Sequence, residues 1–160
     1  AFGMGQRLLE RNLKAMKSEG MHPSQVLLTY RSKFPRIFST SERLMSQAQA
    51  TGYAKTLYGR RRSLDVEGAR KALNSVVQGT AADIVKEVAT NLDRDPVLKD
   101  QGVTIRAIVH DEFLFEAPAG AFTEKIVDRI RTIMQTNSID LPVPLLVDGG
   151  KSSHSWKDCT

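Results

Sequence analysis

Apolar residues recur at intervals of three and four through most of this chain, with one interruption where they alternate instead. Leu8, Leu9, Leu13 and Met16 share a helical face across residues 6–19, and Gly20 ends the pattern. Pro23 suits the first turn of a helix, and Val26, Leu27, Tyr30 and Phe34 carry the same spacing up to Pro35. A third helix is predicted from about residue 37 to residue 50. Gly52 then opens YAKTLYGRRRSL, which reads as two short strands around Tyr58-Gly59 with a basic return strand. The strongest helical signal covers residues 67–93. There Leu73, Val76, Val77, Ala81, Ile84, Val88 and Leu92 form an apolar stripe predicted to face a core.

Beyond Asp95-Pro96 and Gly102 the period changes. VTIRAIV is a β-branched run, His110-Asp111 interrupts it, and EFLFEAP resumes as a second strand before Pro118. An antiparallel hairpin of residues 103–109 with 112–117 follows. Residues 121–135 return to helical spacing, and LPVPLLV predicts a short closing strand whose residues 143–147 join the same sheet. The sum is an α+β fold, helices packed on a small antiparallel sheet. No repeat, low-complexity tract or long linker divides the chain, so residues 1–160 read as one segment.

Composition narrows the classes. With 41% hydrophobic and 26% charged residues the chain is globular in character. A single cysteine, Cys159, excludes an intrachain disulfide framework and a cysteine-rich zinc site. No apolar run approaches the roughly 20 residues of a membrane span, and no signal-peptide core opens the sequence, so a cytoplasmic setting without membrane partners is expected. The net charge of +5 is unevenly distributed. Residues 1–80 carry 14 Lys/Arg against 5 Asp/Glu, whereas residues 81–160 carry 9 against 13. A basic half joined to an acidic half suits a polyanion-binding surface beside a carboxylate site.

Three constellations carry candidate chemistry. In AIVHDEFLFE, Asp111 and Glu112 sit where two hydrophobic strands meet, and carboxylates on a rigid hairpin are good hard ligands for Mg²⁺. Alternation sends the two acids to different sides, so they need not share one ion, and a plain polar turn is the other reading of the tripeptide. On the long helix Arg70, Asn74 and Gln78 recur every four residues beside the apolar stripe. Such a row of donors suits the acceptors that every base pair presents in the minor groove, although an ordinary solvated face has the same spacing. Arg60, Arg61 and Arg62 offer forked donors for phosphates, or a solvated basic turn. His22 is read as a helix-entry residue, and His154 and Trp156 as part of a polar tail that Trp156 anchors. Glu116, Asp128 and Asp148 show no mutual spacing, and no Gly-rich phosphate loop or nucleophile motif is present.

Taken in order, these segments resemble the C-terminal part of a family A DNA polymerase, the type of bacterial DNA polymerase I and many phage replicases. GYAKTLYGRRRSL resembles the family's GY-x-x-T-x-x-GRRR hairpin. ARKALNSVVQGTAADIVK resembles its helix with R-x-x-x-N-x-x-x-QGTAAD, and IVHDEFLFEAP its third catalytic motif. AFGMGQRLLE is similar to the stretch after the nucleotide-binding fingers helix, and LPVPLLVDGG with its later Ser-Trp is similar to the last strand and terminal tryptophan. The match spans nearly the whole chain.

The resemblance implies a palm-and-fingers segment that joins a deoxynucleoside triphosphate (dNTP) to a primer by two-metal nucleotidyl transfer. Asp111 matches the palm aspartate that holds two Mg²⁺ ions, Glu112 its lesser acidic neighbour, and His110 a residue near the primer terminus. Arg70, Asn74 and Gln78 match contacts to primer–template DNA, the last two near the minor groove. The departures are the family's first aspartate motif and the fingers helix that handles the triphosphate. Both are expected upstream of residue 1, so the site is expected to be completed by an aspartate outside this chain. The segment is then one part of a split polymerase or a piece of a longer one, inactive alone. The alternative is a non-catalytic polymerase remnant that grips primer–template DNA. A single-metal nuclease using His110 and Asp111 lacks further ligands and a general base.

Overall fold

A computed structural model describes residues 23–153 and 155–159. The expected helix over residues 6–19, His22 and His154 lie outside the described residues, as does the side chain of Trp156. The chain divides into two compact units, Ala1–Thr80 and Ala81–Thr160. The boundary falls where the charge balance reverses, so the first unit is the basic one.

In the first unit α1 runs Pro23–Lys33 and α2 runs Pro35–Thr51. Phe34 alone separates them, because Pro35 has no N–H to continue α1 but is pre-set for the first turn of α2. Tyr30 packs its ring against Phe34 (5.0 Å) and edge-on to Phe38 (5.7 Å), fastening the joint. Gly52 ends α2 in the left-handed region (φ 77°), where glycine carries no Cβ penalty, and donates to the Ala48 carbonyl. Strands β1 (Tyr53–Lys55) and β2 (Arg61–Ser63) pair antiparallel, Ala54 opposite Arg62. A 3-10 turn, Gly68–Lys71, leads into α3, Ala72–Arg94. The core here is small: Ala48, Ala54, Ala69 and Ala72 are buried, flanked by Leu44, Met45, Leu64 and Val76. Alanines at these places let backbones approach closely.

The second unit builds the larger core. Val88 and Leu92 of α3 meet Leu98 of α4 (Pro96–Asp100), Val103, and Ile126 and Ile130 of α5 (Glu124–Gln135). Asp95 caps α4 by accepting from the backbone N–H groups of Val97 and Leu98, both at 3.1 Å. Strands β3 (Thr104–Val109) and β4 (Glu112–Glu116) form an antiparallel hairpin with an irregularity at Arg106. Ile105, Phe113 and Phe115 lean on the core from this hairpin.

Helices α1, α2, α3 and α5, both hairpins and the α+β class agree with the sequence reading, α4 has no counterpart in it, and two corrections follow. Residues 141–147 form no strand, and among the described residues each sheet has two strands. Pro142 and Pro144 remove two donors that would point to the same side of a strand, which leaves that edge unable to pair. Val143 and Leu146 remain exposed. The apolar stripe of α3 is also discontinuous. Val76 serves the first core and Ile84, Val88 and Leu92 the second, while Val77 (55% accessible) and Ala81 between them face out. Among the described residues, no helix is long and apolar enough to cross a membrane.

Candidate functional site

The acidic candidates stand on the β3–β4 hairpin. Val109 pairs with Glu112, so His110 and Asp111 are the whole connection. Two-residue hairpin connections need positive φ at their first residue to match strand twist, and His110 supplies it at φ 59°. It is the single positive-φ residue other than glycine among the described residues. A bulky side chain in this region carries backbone strain of order 1 kcal/mol, held in place by the strands on either side. The turn thereby presents His110, Asp111 and Glu112 to solvent, while Phe113 and Phe115 stack at 6.2 Å on the core face and fix the strand beneath.

Carboxylate oxygens are the donors Mg²⁺ takes, so Asp111 and Glu112 are of the right chemical type. Among the described residues, no group of three His, Cys, Asp or Glu side chains gathers where an ion would be held. The donor set fits part of a coordination shell and not a complete two-ion site.

The arginine, asparagine and glutamine candidates belong to the first unit. Arg70, at the 3-10 turn, and Asn74 and Gln78, on α3, are all exposed. Their spacing of four aligns them along one side of the helix. Ala69, Ala72, Ser75 and Thr80 are buried on other sides. None of the three makes a side-chain hydrogen bond or ion pair with a described residue, so their donors are available to a ligand.

Arg60, Arg61 and Arg62 are all exposed but make different contacts. Arg60 is exposed, and its Nη2 donates to the Gly79 carbonyl of α3 at 2.9 Å. Arg61 lies over the Tyr53 ring, 4.6 Å from its centre, a cation–π contact that orients the guanidinium and leaves it exposed. Arg62 is exposed and follows Arg61 in β2, so strand alternation sends it to the opposite face. A run that reads as uniform in sequence thus has one arginine bonded to α3, one stacked on Tyr53 and one on the other face of β2, all three exposed.

Sequence reading missed the threonines that hold this hairpin. Thr80 Oγ1 accepts from the Leu57 N–H (3.1 Å), and Thr56 Oγ1 accepts from the Arg60 N–H (3.1 Å). Both threonines are buried. The available signal was Gly79 in mid-helix, a residue that costs about 1 kcal/mol against alanine there and so points to a close approach.

Comparison with known proteins agrees with this layout. Residues 1–158 match the profile of DNA polymerase family A. DNA polymerase I of Chloroflexus aurantiacus is 34% identical over 160 residues, covering 92% of this chain and 16% of that protein. DNA polymerase theta of Drosophila melanogaster is 30% identical over 163 residues, covering 91% of this chain and 8% of that protein. Among solved structures, the POL domain of Pol1 from M. smegmatis, in complex with DNA primer-template and dNTP, superposes with a TM-score of 0.73. It is 31% identical and is covered over 26% of its length by 90% of this chain. The chain therefore spans about a quarter or less of the length of each of these proteins. With the profile running almost from end to end, and the GRRR, QGTAAD and VHDE segments on the elements just described, this chain belongs to DNA polymerase family A.

Proposed function

We propose that these 160 residues form an incomplete C-terminal palm-and-fingers segment of a DNA-templated DNA polymerase, acting in the cytoplasm of a bacterial or phage-infected cell. In the reaction a primer 3′-hydroxyl oxygen attacks the α-phosphorus of a dNTP. A new P–O bond forms, the bond to the β-phosphate oxygen breaks, pyrophosphate leaves and the hydroxyl proton is lost. The observation that carries this reading is the pair Asp111 and Glu112 at the exposed tip of a rigid hairpin, in a chain of this family.

Asp111 is the chain's contribution to metal binding, with Glu112 as an outer support. Mg²⁺, when bound, supplies charge neutralisation at the attacking and leaving oxygens. The second aspartate and the triphosphate-handling fingers helix come from a second polypeptide or upstream segment. His110 lies near the primer terminus. Arg70, Asn74 and Gln78 donate to the primer–template, Asn74 and Gln78 toward the purine N3 and pyrimidine O2 acceptors that every pair displays. Arg60, Arg61 and Arg62 meet backbone phosphates.

Duplex titration tests the interface. Binding should tolerate any sequence and weaken steeply with salt, and Arg61→Ala with Arg62→Ala should flatten the salt slope by about 2. Gln78→Ala should impair discrimination at mismatched primer ends more than it impairs affinity. A marked preference for one sequence would contradict this interface. DNA binding without synthesis, in the presence of the missing parts, would instead support the non-catalytic remnant.

A further inference from the structure

The loop joining β1 to β2 is bonded to α3, and Thr56, Leu57, Arg60, Gly79 and Thr80 make the contact. Thr56 closes the loop on itself. Its N–H donates to the Arg60 carbonyl (2.9 Å), its carbonyl accepts from Gly59 (2.9 Å), and its Oγ1 accepts from the Arg60 N–H (3.1 Å). Two bonds then tie the closed loop to α3, Leu57 N–H to Thr80 Oγ1 and Arg60 Nη2 to the Gly79 carbonyl. Gly79 makes room for them. A Cβ at that position would fall 2.6 Å from the Thr56 methyl and 3.3 Å from Arg60 Nη2. The methyl belongs to a buried, β-branched side chain with little freedom to turn away.

The loop continues directly into Arg61 and Arg62, and Gly79 directly follows Gln78. From this juxtaposition we infer that Thr56, Arg60, Gly79 and Thr80 are positioning residues that lock the basic hairpin to α3, so that Arg61 and Arg62 meet phosphates in fixed register with Asn74 and Gln78. The inference rests on the proposed DNA-binding role of those four. Its physical content is preorganisation. With the loop free, each arginine contact must first be ordered, and the two sets of donors no longer act as one surface.

The test is duplex binding by the full 160-residue chain across a salt series. Thr80→Ala removes the acceptor while favouring the helix, and Thr80→Ser keeps the acceptor without the methyl. Thr80→Ala should weaken binding about tenfold and lower the salt slope by about 1, as though one phosphate contact had been lost. Thr80→Ser should keep the parent values. In the Thr80→Ala background, Arg62→Ala should cost clearly less than it does in the parent, a coupling that general loss of stability does not produce. Gly79→Ala should behave like Thr80→Ala. Parent-like binding by Thr80→Ala, equal losses in the Ala and Ser variants, or strictly additive effects with Arg62→Ala would each overturn the lock. So would failure of Thr80→Ala alone to fold, since Thr80 would then be a stability residue only. If Arg61→Ala and Arg62→Ala leave parent binding unchanged, it is the DNA-binding reading that fails, and the lock falls with it.

Discussion

His110 holds a left-handed backbone at the tip of the acidic hairpin, where glycine is the unstrained choice. His110→Gly should therefore unfold at higher urea than His110→Ala, by about 1 kcal/mol, and equal midpoints would show that the turn carries no strain. Asp95 is the other residue with an unusual load. Arg129 donates from Nε and Nη2 to both its carboxylate oxygens, and this, with the α4 cap bonds, holds its pKa below the ordinary 3.8 although burial pulls the other way. A depressed carboxyl stabilises the fold fully above its unfolded value, and the contribution fades as pH falls through the lower folded value. The Tm gap between parent and Asp95→Asn should thus be level above about pH 5 and close below about pH 4. Asp95→Ala should cost about 1–2 kcal/mol through the lost cap, and the half-exposed Arg129 adds less. Sequence could not announce this pair, since its members stand 34 residues apart with no shared pattern. The arginine run hides a different detail: Arg60, before the strand, bonds to Gly79, while Arg61 and Arg62 alternate between the two faces of β2.

The elements themselves were far more legible than their contacts. Amphipathic spacing located α1, α2, α3 and α5, and proline and glycine marked their ends, because those signals are local and physical. Both hairpins followed from strand composition around short polar turns. What escaped was whatever depended on a distant partner. The 141–147 segment has strand-like side chains but two prolines that forbid one edge, and α3 shows a single stripe in sequence that two separate cores divide. Leu98, at 2% accessibility, lies at the centre of the larger core, where α3, α4 and α5 converge. Leu98→Ala should cost about 2–5 kcal/mol in urea unfolding, by lost transfer energy and a residual cavity. The exposed Val143→Ala should change little, and a comparable loss there would mean that residues 141–147 are packed after all.

Across the whole chain, charge and structure divide at the same place: the basic unit carries the candidate DNA surface and the acidic unit the candidate metal ligands. The candidate residues were readable because their chemistry is written in short motifs. The lock around Thr80 was not, because it joins residues from two elements. Half of a two-ion site should do no chemistry by itself, since positioning and charge stabilisation are both incomplete. Gel-based primer extension tests that claim most directly. It is run with this chain alone, with a polypeptide carrying the first aspartate motif and the fingers helix alone, and with both together. The mixture should extend a primed template in a Mg²⁺-dependent manner, and each chain alone should not. Asp111→Asn should lower the restored rate by about three orders of magnitude or more, Glu112→Gln by less. Robust synthesis by the single purified chain, or undiminished synthesis by the Asp111→Asn mixture, would contradict it.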